Sequence, residues 1–327
     1  METPVGQGLT DPRLARHGGG AGRRRFFKIL QWAIVAVLFL FMGRTVWENW
    51  IQVKETSFAL DPLSLFLSTL IFAFSYFIQL WAWHLITLKL GIALPFKETL
   101  ESWFYSQMGK YLPGKIWLLL SRFYLYDAKG KSKKAITVAL YFETVMMITA
   151  AALLFLASLF FLKEARPPFP GEGAFLLVPI LALAFLCLHP WVLQKIFNRV
   201  LTGLKKEPLS LSLSYAQVLW ILGICFASWV VGGIGFSLFV DSVFPVASRY
   251  FPFLTGALAV SSIAGLLALF APGGLGVREG VLVFLLSLMM PGAVAAILSV
   301  LTRLWMTFIE IGLIGVVYLV GRFRKKE

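Results

Sequence analysis

The sequence predicts an all-α integral membrane protein, and three observations point to this class. Of its 327 residues, 59% are hydrophobic, and the mean hydropathy is +0.81. Several apolar runs reach the roughly 20 residues that a helix needs to cross the hydrocarbon core of a bilayer. Short segments of alternating apolar and polar residues are rare, which argues against a barrel and leaves a helical bundle as the way to satisfy backbone groups in lipid.

In chain order, the first element is a basic, glycine-rich tail over residues 1–25, which contains too few apolar residues to fold and is predicted to be disordered. A single polytopic membrane domain is predicted for 26–320, and a second basic tail for 321–327. The domain contains about six full transmembrane helices. Their approximate bounds are 26–46, 63–88, 135–162, 174–190, 213–240 and 293–320.

Lysine and arginine residues predict the orientation of these spans. Six basic residues between Arg13 and Lys28 precede the end of the first span, whereas residues 47–62 carry one lysine against three acidic residues. Because cytoplasmic loops are enriched in Lys and Arg, both termini are expected in the cytoplasm and the protein in the cell membrane. Basic loops that contact anionic lipid headgroups explain the formal charge of +14, so no nucleic-acid partner is expected.

Two further apolar segments, 97–126 and 253–290, are predicted to begin and end on the same side of the membrane. The second arm of the later segment, 281–290, is about 15 Å long as a helix, which favours a re-entrant hairpin. The alternative is a pair of full transmembrane crossings that extends through the Pro-Gly motif. Two crossings also return the chain to the side of the membrane on which the segment began. For 97–126, the alternatives are a re-entrant hairpin with "LPGK" at its tip and an amphipathic helix at the cytoplasmic interface.

The predicted elements repeat in two halves, 26–162 and 174–320. Each half has two spans, a hairpin containing Pro-Gly, and a third span with a charged residue inside it. The hairpin prolines Pro113 and Pro272 lie about 160 residues apart. Because each half has an odd number of crossings, the second half is inverted relative to the first. Secondary transporters use such inverted repeats, and their broken helices line the substrate site near mid-membrane.

The segment "APGGLGVREG", residues 271–280, carries the chemistry of the second hairpin. A proline ends a helix, and the glycines after it allow positive φ and close approach, so backbone amides can face an anion. The guanidinium of Arg278 is a forked donor suited to phosphate, and Glu279 can pair with a basic residue. A Pro-Gly turn at headgroup level, with both charges solvated, is the alternative. The candidate binding residues here are Gly273, Gly274, Gly276, Arg278 and Glu279, and the structural hairpin residues are Pro113, Gly114, Pro272 and Gly280.

Three ionisable residues lie deep within predicted spans, where they cannot face lipid cheaply. Glu143 lies in the third span, and Arg303 and Glu310 lie two turns apart on one face of the last. A direct ion pair between Glu143 and Arg303 is expected, either as a structural link or as a substrate contact. Lys115 and Arg122, which follow "LPG", are expected either to be the inner counterpart of the hairpin arginine or to orient a cytoplasmic loop.

The motifs "KYLPGKIW", "FETVMM" and "APGGLGVREGVLVFLL" resemble the lysylphosphatidylglycerol synthase transmembrane domain family, also described as flippase-like. The resemblance covers about residues 27–320, and Pro-Gly-Gly-x-Gly-x-Arg-Glu-Gly is its most specific part. It implies the movement or handling of an anionic or glycosylated lipid. The matching positions are Pro113, Gly114, Lys115, Arg122, Glu143, Pro272, Gly273, Gly274, Gly276, Arg278, Glu279 and Gly280.

The sequence departs from the family pattern in two places. Because no soluble aminoacyl-transferase domain follows Glu327, the lipid-lysylating activity of bifunctional relatives is not expected. Trp117 stands where many relatives have a smaller residue, which puts the role of the first hairpin in question.

The leading functional hypothesis is flippase-like or scramblase-like movement of an anionic or glycosylated lipid through a polar groove between the hairpins. No Walker motif, metal-ligand cluster or nucleophile elbow is found in the sequence, so no enzyme activity, cofactor or metal is expected. One alternative is a scaffold whose partner is a lipid-modifying glycosyltransferase. The other is an intramembrane lipid-phosphate transferase that uses Glu279 or Glu143 as a base. Membrane lipids of anionic or polyprenyl-phosphate type are the expected partners.

Overall fold

A computed structural model of the protein describes residues 60–111, 116–161, 189–203, 213–268, 271 and 274–323, with single positions at 40, 44 and 47. Every regular element of these ranges is helical, which confirms the all-α class. The α-helices are α1 (Pro62–Lys89), α2 (Phe96–Gln107), α3 (Ile116–Asp127), α4 (Lys133–Leu159), α5 (Pro190–Gly203), α6 (Tyr215–Val243), α7 (Phe251–Leu267), α8 (Val277–Leu286) and α9 (Gly292–Phe323). Short 3-10 turns cover Met108–Tyr111 and Ser248–Tyr250.

Five helical segments of the described ranges are long and apolar enough to cross a membrane, as expected for a multi-pass membrane protein. Four of them, α1, α4, α6 and α9, agree with predicted spans. The fifth is Ser248–Leu267, which belongs to the second predicted hairpin. Three predicted elements lie outside the described residues: the tail 1–25 and the spans 26–46 and 174–190. The exceptions within these two spans are the described positions 40, 44, 189 and 190.

Each of the two hairpin segments forms a pair of helices that pack against each other. Both α2 and α3 have 12 residues, about 18 Å, which is too short to cross a hydrocarbon core of about 30 Å. In the second pair, α8 has only 10 residues, as short as its sequence predicts. The other arm, α7 with its preceding turn, covers 20 residues and is long enough to cross, which the hypothesis of a re-entrant hairpin did not anticipate.

Local sequence explains where the long helices begin. Asp61 caps α1 by accepting hydrogen bonds from the Leu63 amide (3.0 Å) and the Ser64 hydroxyl (2.5 Å), and the bond from Ser64 lowers the pKa of the Asp61 carboxyl. Ser214 and Gln217 form a capping box at the start of α6. Such caps satisfy amides that lack a partner within the helix, so they define both helix starts.

The most extensive contact between helices in the described ranges joins α1 and α6. A Cβ atom at Gly235 of α6 would lie 2.9 Å from the backbone nitrogen of Phe72, so only glycine allows this approach. Small residues have this role at helix contacts in membranes, where the hydrophobic effect gives no drive for association. Trp305 of α9 stacks on Phe239 of α6 with ring centroids 4.5 Å apart, which attaches the last helix to α6.

Both short arms pack beside the long helix that follows them, α3 beside α4 and α8 beside α9. Each hairpin also contacts the other half of the chain, because α2 packs against α9 and α7 packs against α4. One hydrophobic cluster includes buried residues from α1 to α4 and from α6 to α9. Both halves therefore border the space between the two hairpins.

Candidate functional site

A cavity of about 320 Å³ lies between the two hairpins. Four charged side chains line it: Lys110 and Arg122 from the first hairpin, Glu143 from α4 and Arg278 from α8. Most of the remaining wall is apolar or aromatic. The structure thus brings three of the predicted site residues to one space, together with Lys110, which the sequence analysis did not select.

The guanidinium of Arg122 contacts several other side chains of the protein. Its Nη1 donates to Glu143 Oε2 at 2.6 Å, and its Nε donates to Ser106 Oγ at 3.0 Å. The guanidinium lies over the indole rings of Trp83 and Trp103, 4.7 and 5.4 Å from their centroids. Trp103 Nε1 also donates to Glu143 Oε1 at 3.4 Å. The pair is neutralised within the wall of the cavity, and this favours a structural role for both residues.

Glu279 and Arg303 form a second ion pair, with Nη1 of the arginine 2.5 Å from Oε1 of the glutamate. The other carboxylate oxygen, Oε2, accepts a hydrogen bond from the Gly276 amide at 2.6 Å. Gly276 has φ of +82°, a conformation that favours glycine, and it precedes the first residue of α8. Glu279 therefore fixes the start of α8 and joins it to α9.

These two pairs correct the expectation of a direct contact between Glu143 and Arg303. Each of these residues pairs instead with the short helix that packs beside its own long helix, α3 for Glu143 and α8 for Arg303. The positive and negative partners are exchanged between the two pairs. In the first half the arginine is on the short helix, and in the second half the glutamate is.

A third ion pair joins the two halves. Lys110, in the 3-10 turn after α2, places its Nζ 2.5 Å from Glu310 Oε1 on α9. The ammonium group also lies 5.8 Å from the ring centroid of Tyr76. Lys110 directly precedes the "YLPGK" sequence, and its side chain is 41% exposed although it makes this contact. The sequence predicts Glu310 on the same face of the last helix as Arg303, and the structure pairs it with Lys110.

Arg278 differs from the other cations at this site. Its Nη2 lies 2.6 Å from the sulfur of Met306, and a thioether is only a weak acceptor. Among the residues that the structure describes, no carboxylate oxygen lies within 4 Å of its guanidinium, whereas Lys110, Arg122 and Arg303 each contact one. Arg278 therefore brings to the cavity a positive charge without a direct counter-ion in these ranges.

Two glycines set the position of Arg278. A Cβ atom at Gly265 of α7 would lie 2.9 Å from the Cβ of Arg278. Gly274 has φ of +71°, and a Cβ there would lie 2.8 Å from the carbonyl oxygen of Gly265. The chain before α8 thus packs directly on the backbone of α7. This contact brings the arginine to the cavity wall.

Two polar atoms on the cavity wall have no hydrogen-bond partner in the described part of the chain. They are the carboxamide oxygen of Gln107 on α2 and the hydroxyl of Ser262 on α7. Sequence reasoning missed both residues. Each is neutral and lies in a helix, and no motif marks either of them.

The remaining predicted residues have simpler outcomes. The Gly280 amide donates to the Gly276 carbonyl at 2.8 Å, as in any first helical turn. Within the described ranges, no group of three or more His, Cys, Asp or Glu residues could hold a metal ion. The predicted residues that lie outside these ranges are Pro113, Gly114, Lys115, Pro272 and Gly273.

Comparison with known proteins gives the family. The model of the lysylphosphatidylglycerol synthase TM region matches residues 28–315, a stretch that includes both hairpins and every charged residue of the cavity. No curated protein matches the chain. The protein therefore belongs to the lysylphosphatidylglycerol synthase transmembrane region family, and it is a multi-pass membrane protein linked to lipid handling.

Proposed function

We propose that this protein moves the headgroup of an anionic lipid across the bilayer through the cavity between its hairpins. The observation that carries this proposal is Arg278, a cation without a direct counter-ion among the described residues, at a cavity that both halves border. An arginine can bind a phosphate through two parallel hydrogen bonds, and such charge-assisted bonds are strong where water is excluded. Membership of a family linked to lipid handling supports the same substrate.

The size of the cavity fits a headgroup and not a whole lipid. Its volume of about 320 Å³ lies at the lower end of the range for small-molecule sites. The acyl chains would therefore stay in the bilayer while the phosphate enters the cavity. The ion pairs Arg122–Glu143 and Glu279–Arg303 hold the arms in place and need not break during passage.

The proposed transport is downhill and involves no chemical change to the lipid. The sequence has no nucleotide-binding motif from which hydrolysis could drive the movement. Net flow of lipid then follows its concentration difference between the two leaflets. In this proposal the protein acts in the cell membrane, with both termini in the cytoplasm.

The first test measures lipid movement in proteoliposomes with the Arg278→Ala variant. Vesicles contain phosphatidylglycerol labelled on an acyl chain, and a membrane-impermeant quencher reports how fast inner-leaflet label appears outside. Loss of a charged hydrogen bond is expected to slow movement roughly 10- to 100-fold. Arg278→Lys keeps the charge but not the forked geometry, so its rate is expected to lie between those of the wild-type protein and Arg278→Ala.

The control is Arg249→Ala, which removes an exposed arginine from the turn before α7 and is expected to keep the wild-type rate. An unchanged rate in Arg278→Ala would contradict the proposal. Chemical modification of the labelled lipid by the wild-type protein would instead indicate a transferase. A wild-type rate equal to that of empty vesicles would favour the scaffold.

The packing of Gly265 gives a second prediction. Gly265→Ala forces α8 outward, because the added Cβ would lie 2.9 Å from the Cβ of Arg278. A small displacement of a binding group is expected to slow lipid movement by roughly tenfold in the same assay. Gly312→Ala is the matched control, since a Cβ there meets nothing within 4 Å. Equal rates for the two variants would show that the position of α8 is unimportant.

A further inference from the structure

Among the described α-helices, α5 alone packs extensively on no other helix. Its 14 residues cover about 21 Å, which is too short to cross a hydrocarbon core of about 30 Å. The helix is therefore neither a span nor, within the described ranges, a packed arm of the bundle. Its sequence and position indicate what it contacts instead.

The sequence of α5 has an apolar side and a polar side. Apolar residues come in adjacent pairs that recur every four positions, a spacing that keeps them on one side of a helix. They are Val192, Leu193, Ile196, Phe197, Val200 and Leu201. The opposite side carries Gln194, Lys195, Asn198, Arg199 and Thr202. This pattern is typical of helices that lie in the plane of a membrane interface.

Contacts of the neighbouring helices place the start of α5 at one end of the bundle. The Asp61 amide, before α1, donates to the Ser242 carbonyl near the end of α6 at 2.9 Å, so these packed helices are antiparallel. The end of α1 and the start of α6 therefore lie at the same end. His189, just before α5, has its ring centroid 5.4 Å from that of Tyr215, the first residue of α6. The helix thus starts at the membrane boundary where α6 begins.

The charge around α5 is entirely positive. Residues 174–206 contain four basic residues and no acidic one. Two of the four, Lys195 and Arg199, are exposed on the polar side of α5. Trp191 at the start of the helix is 63% exposed, and the Lys195 ammonium lies 4.9 Å from its ring centroid. Tryptophan rings and lysine side chains of this kind are typical of the headgroup layer.

We infer that α5 lies in the headgroup layer of the cytoplasmic leaflet and binds anionic lipids there. The apolar side of the helix enters the boundary of the acyl chains, and Lys195 and Arg199 attract lipid phosphates. An anionic lipid surface is the partner that fits both sides of the helix at once. The inference goes beyond transport through the cavity, because none of the described residues that line the cavity belongs to α5.

Hydrogen exchange of the full chain in vesicles tests the role of charge. Vesicles of phosphatidylcholine are compared with vesicles of equal parts phosphatidylcholine and phosphatidylglycerol. The amides of residues 194–203 are expected to exchange roughly 10- to 30-fold more slowly in the anionic vesicles, the factor that two basic residues near an anionic surface give. Replacing both, Lys195→Gln with Arg199→Gln, is expected to remove most of this difference.

The matched control is Lys129→Gln with Lys133→Gln, which removes the same charge from two exposed lysines near the turn between α3 and α4. It is expected to keep the wild-type difference in α5. Equal exchange of the wild-type helix in both kinds of vesicle would overturn the inference and leave the proposed function intact. A control that loses the difference as fully as the α5 variant would mean that the net charge of the protein attracts the lipid, which also overturns it.

A spin label at position 197 tests which side of the helix meets lipid. With Cys187→Ala and Cys225→Ala removing the native cysteines, labelled Phe197→Cys is compared with labelled Lys195→Cys in the anionic vesicles. The label at 197 is expected to collide mainly with oxygen dissolved in lipid, and the label at 195 mainly with a water-soluble nickel chelate. A label at 197 that neither reagent reaches would show that protein covers this side, and the inference would fail. If the cysteine-free chain does not fold, exchange of the unlabelled chain decides alone.

Discussion

Replacing Arg122 with methionine is expected to lower the free energy of unfolding by about 3–5 kcal/mol. The change leaves the carboxylate of Glu143, which is 13% exposed, without the guanidinium 2.6 Å away. It also removes the cation that lies over the rings of Trp83 and Trp103. Reversible unfolding in mixed micelles, followed by tryptophan fluorescence, measures this loss.

Two further variants show whether the unpaired charge causes the loss. Adding Glu143→Leu to Arg122→Met removes both charges and is expected to recover most of the stability, because apolar replacement of a buried pair is often neutral. Lys129→Met breaks an exposed pair with Glu98 and is expected to cost less than about 1 kcal/mol. A double variant as unstable as Arg122→Met would mean that packing, and not charge, holds this site.

The second large effect is expected from Arg303→Met, which should also lower the free energy of unfolding by about 3–5 kcal/mol. Glu279 is the more deeply buried partner, with its side chain 2% exposed against 24% for Arg303. Losing the arginine leaves a carboxylate at the first turn of α8 without its cation. The carboxylate then keeps the hydrogen bond that it accepts from the Gly276 amide.

Arg303→Lys tests the role of charge at this second pair. Lysine keeps the positive charge but lacks the planar fork, so it is expected to recover part of the stability in the same unfolding measurement. Equal losses for the lysine and methionine variants would mean that the geometry of the guanidinium matters and its charge does not.

The long apolar helices were predictable because a bilayer imposes a minimum length on any helix that crosses it. The bounds of α1 and α9 follow almost directly from their apolar runs. The length of α7 was harder to judge, because its apolar run continues toward the Pro-Gly motif and the sequence does not show where the helix stops. The shortness of α8 was predictable, since Pro291 and Gly292 limit its apolar run. Its position was not, because the helix covers Val277–Leu286 and not the predicted 281–290.

Within the site, residue types were easier to predict than contacts. The sequence predicts Arg278 as a phosphate ligand because its forked charge suits a phosphate. The structure places this residue at the cavity wall, and phosphate binding there stays a prediction. The partners of Glu143 and Arg303 depend on which helix packs beside each, and that is decided by tertiary contacts such as the stack of Trp305 on Phe239. Gln107 and Ser262 were not predictable, because the tertiary structure decides which polar atoms of the described residues lack a hydrogen-bond partner.

Arg278 makes the distribution of charge on the cavity wall uneven, because Arg122 pairs with Glu143 whereas Arg278 contacts the sulfur of Met306. An anion there meets the charge of Arg278 on one wall and the neutralised Arg122–Glu143 pair on another. Microscopic reversibility forbids such a fixed asymmetry from pumping lipid without an energy source. In the proposed transport, it would set where along the path a headgroup spends its time and would leave the direction of net flow to the composition of the two leaflets.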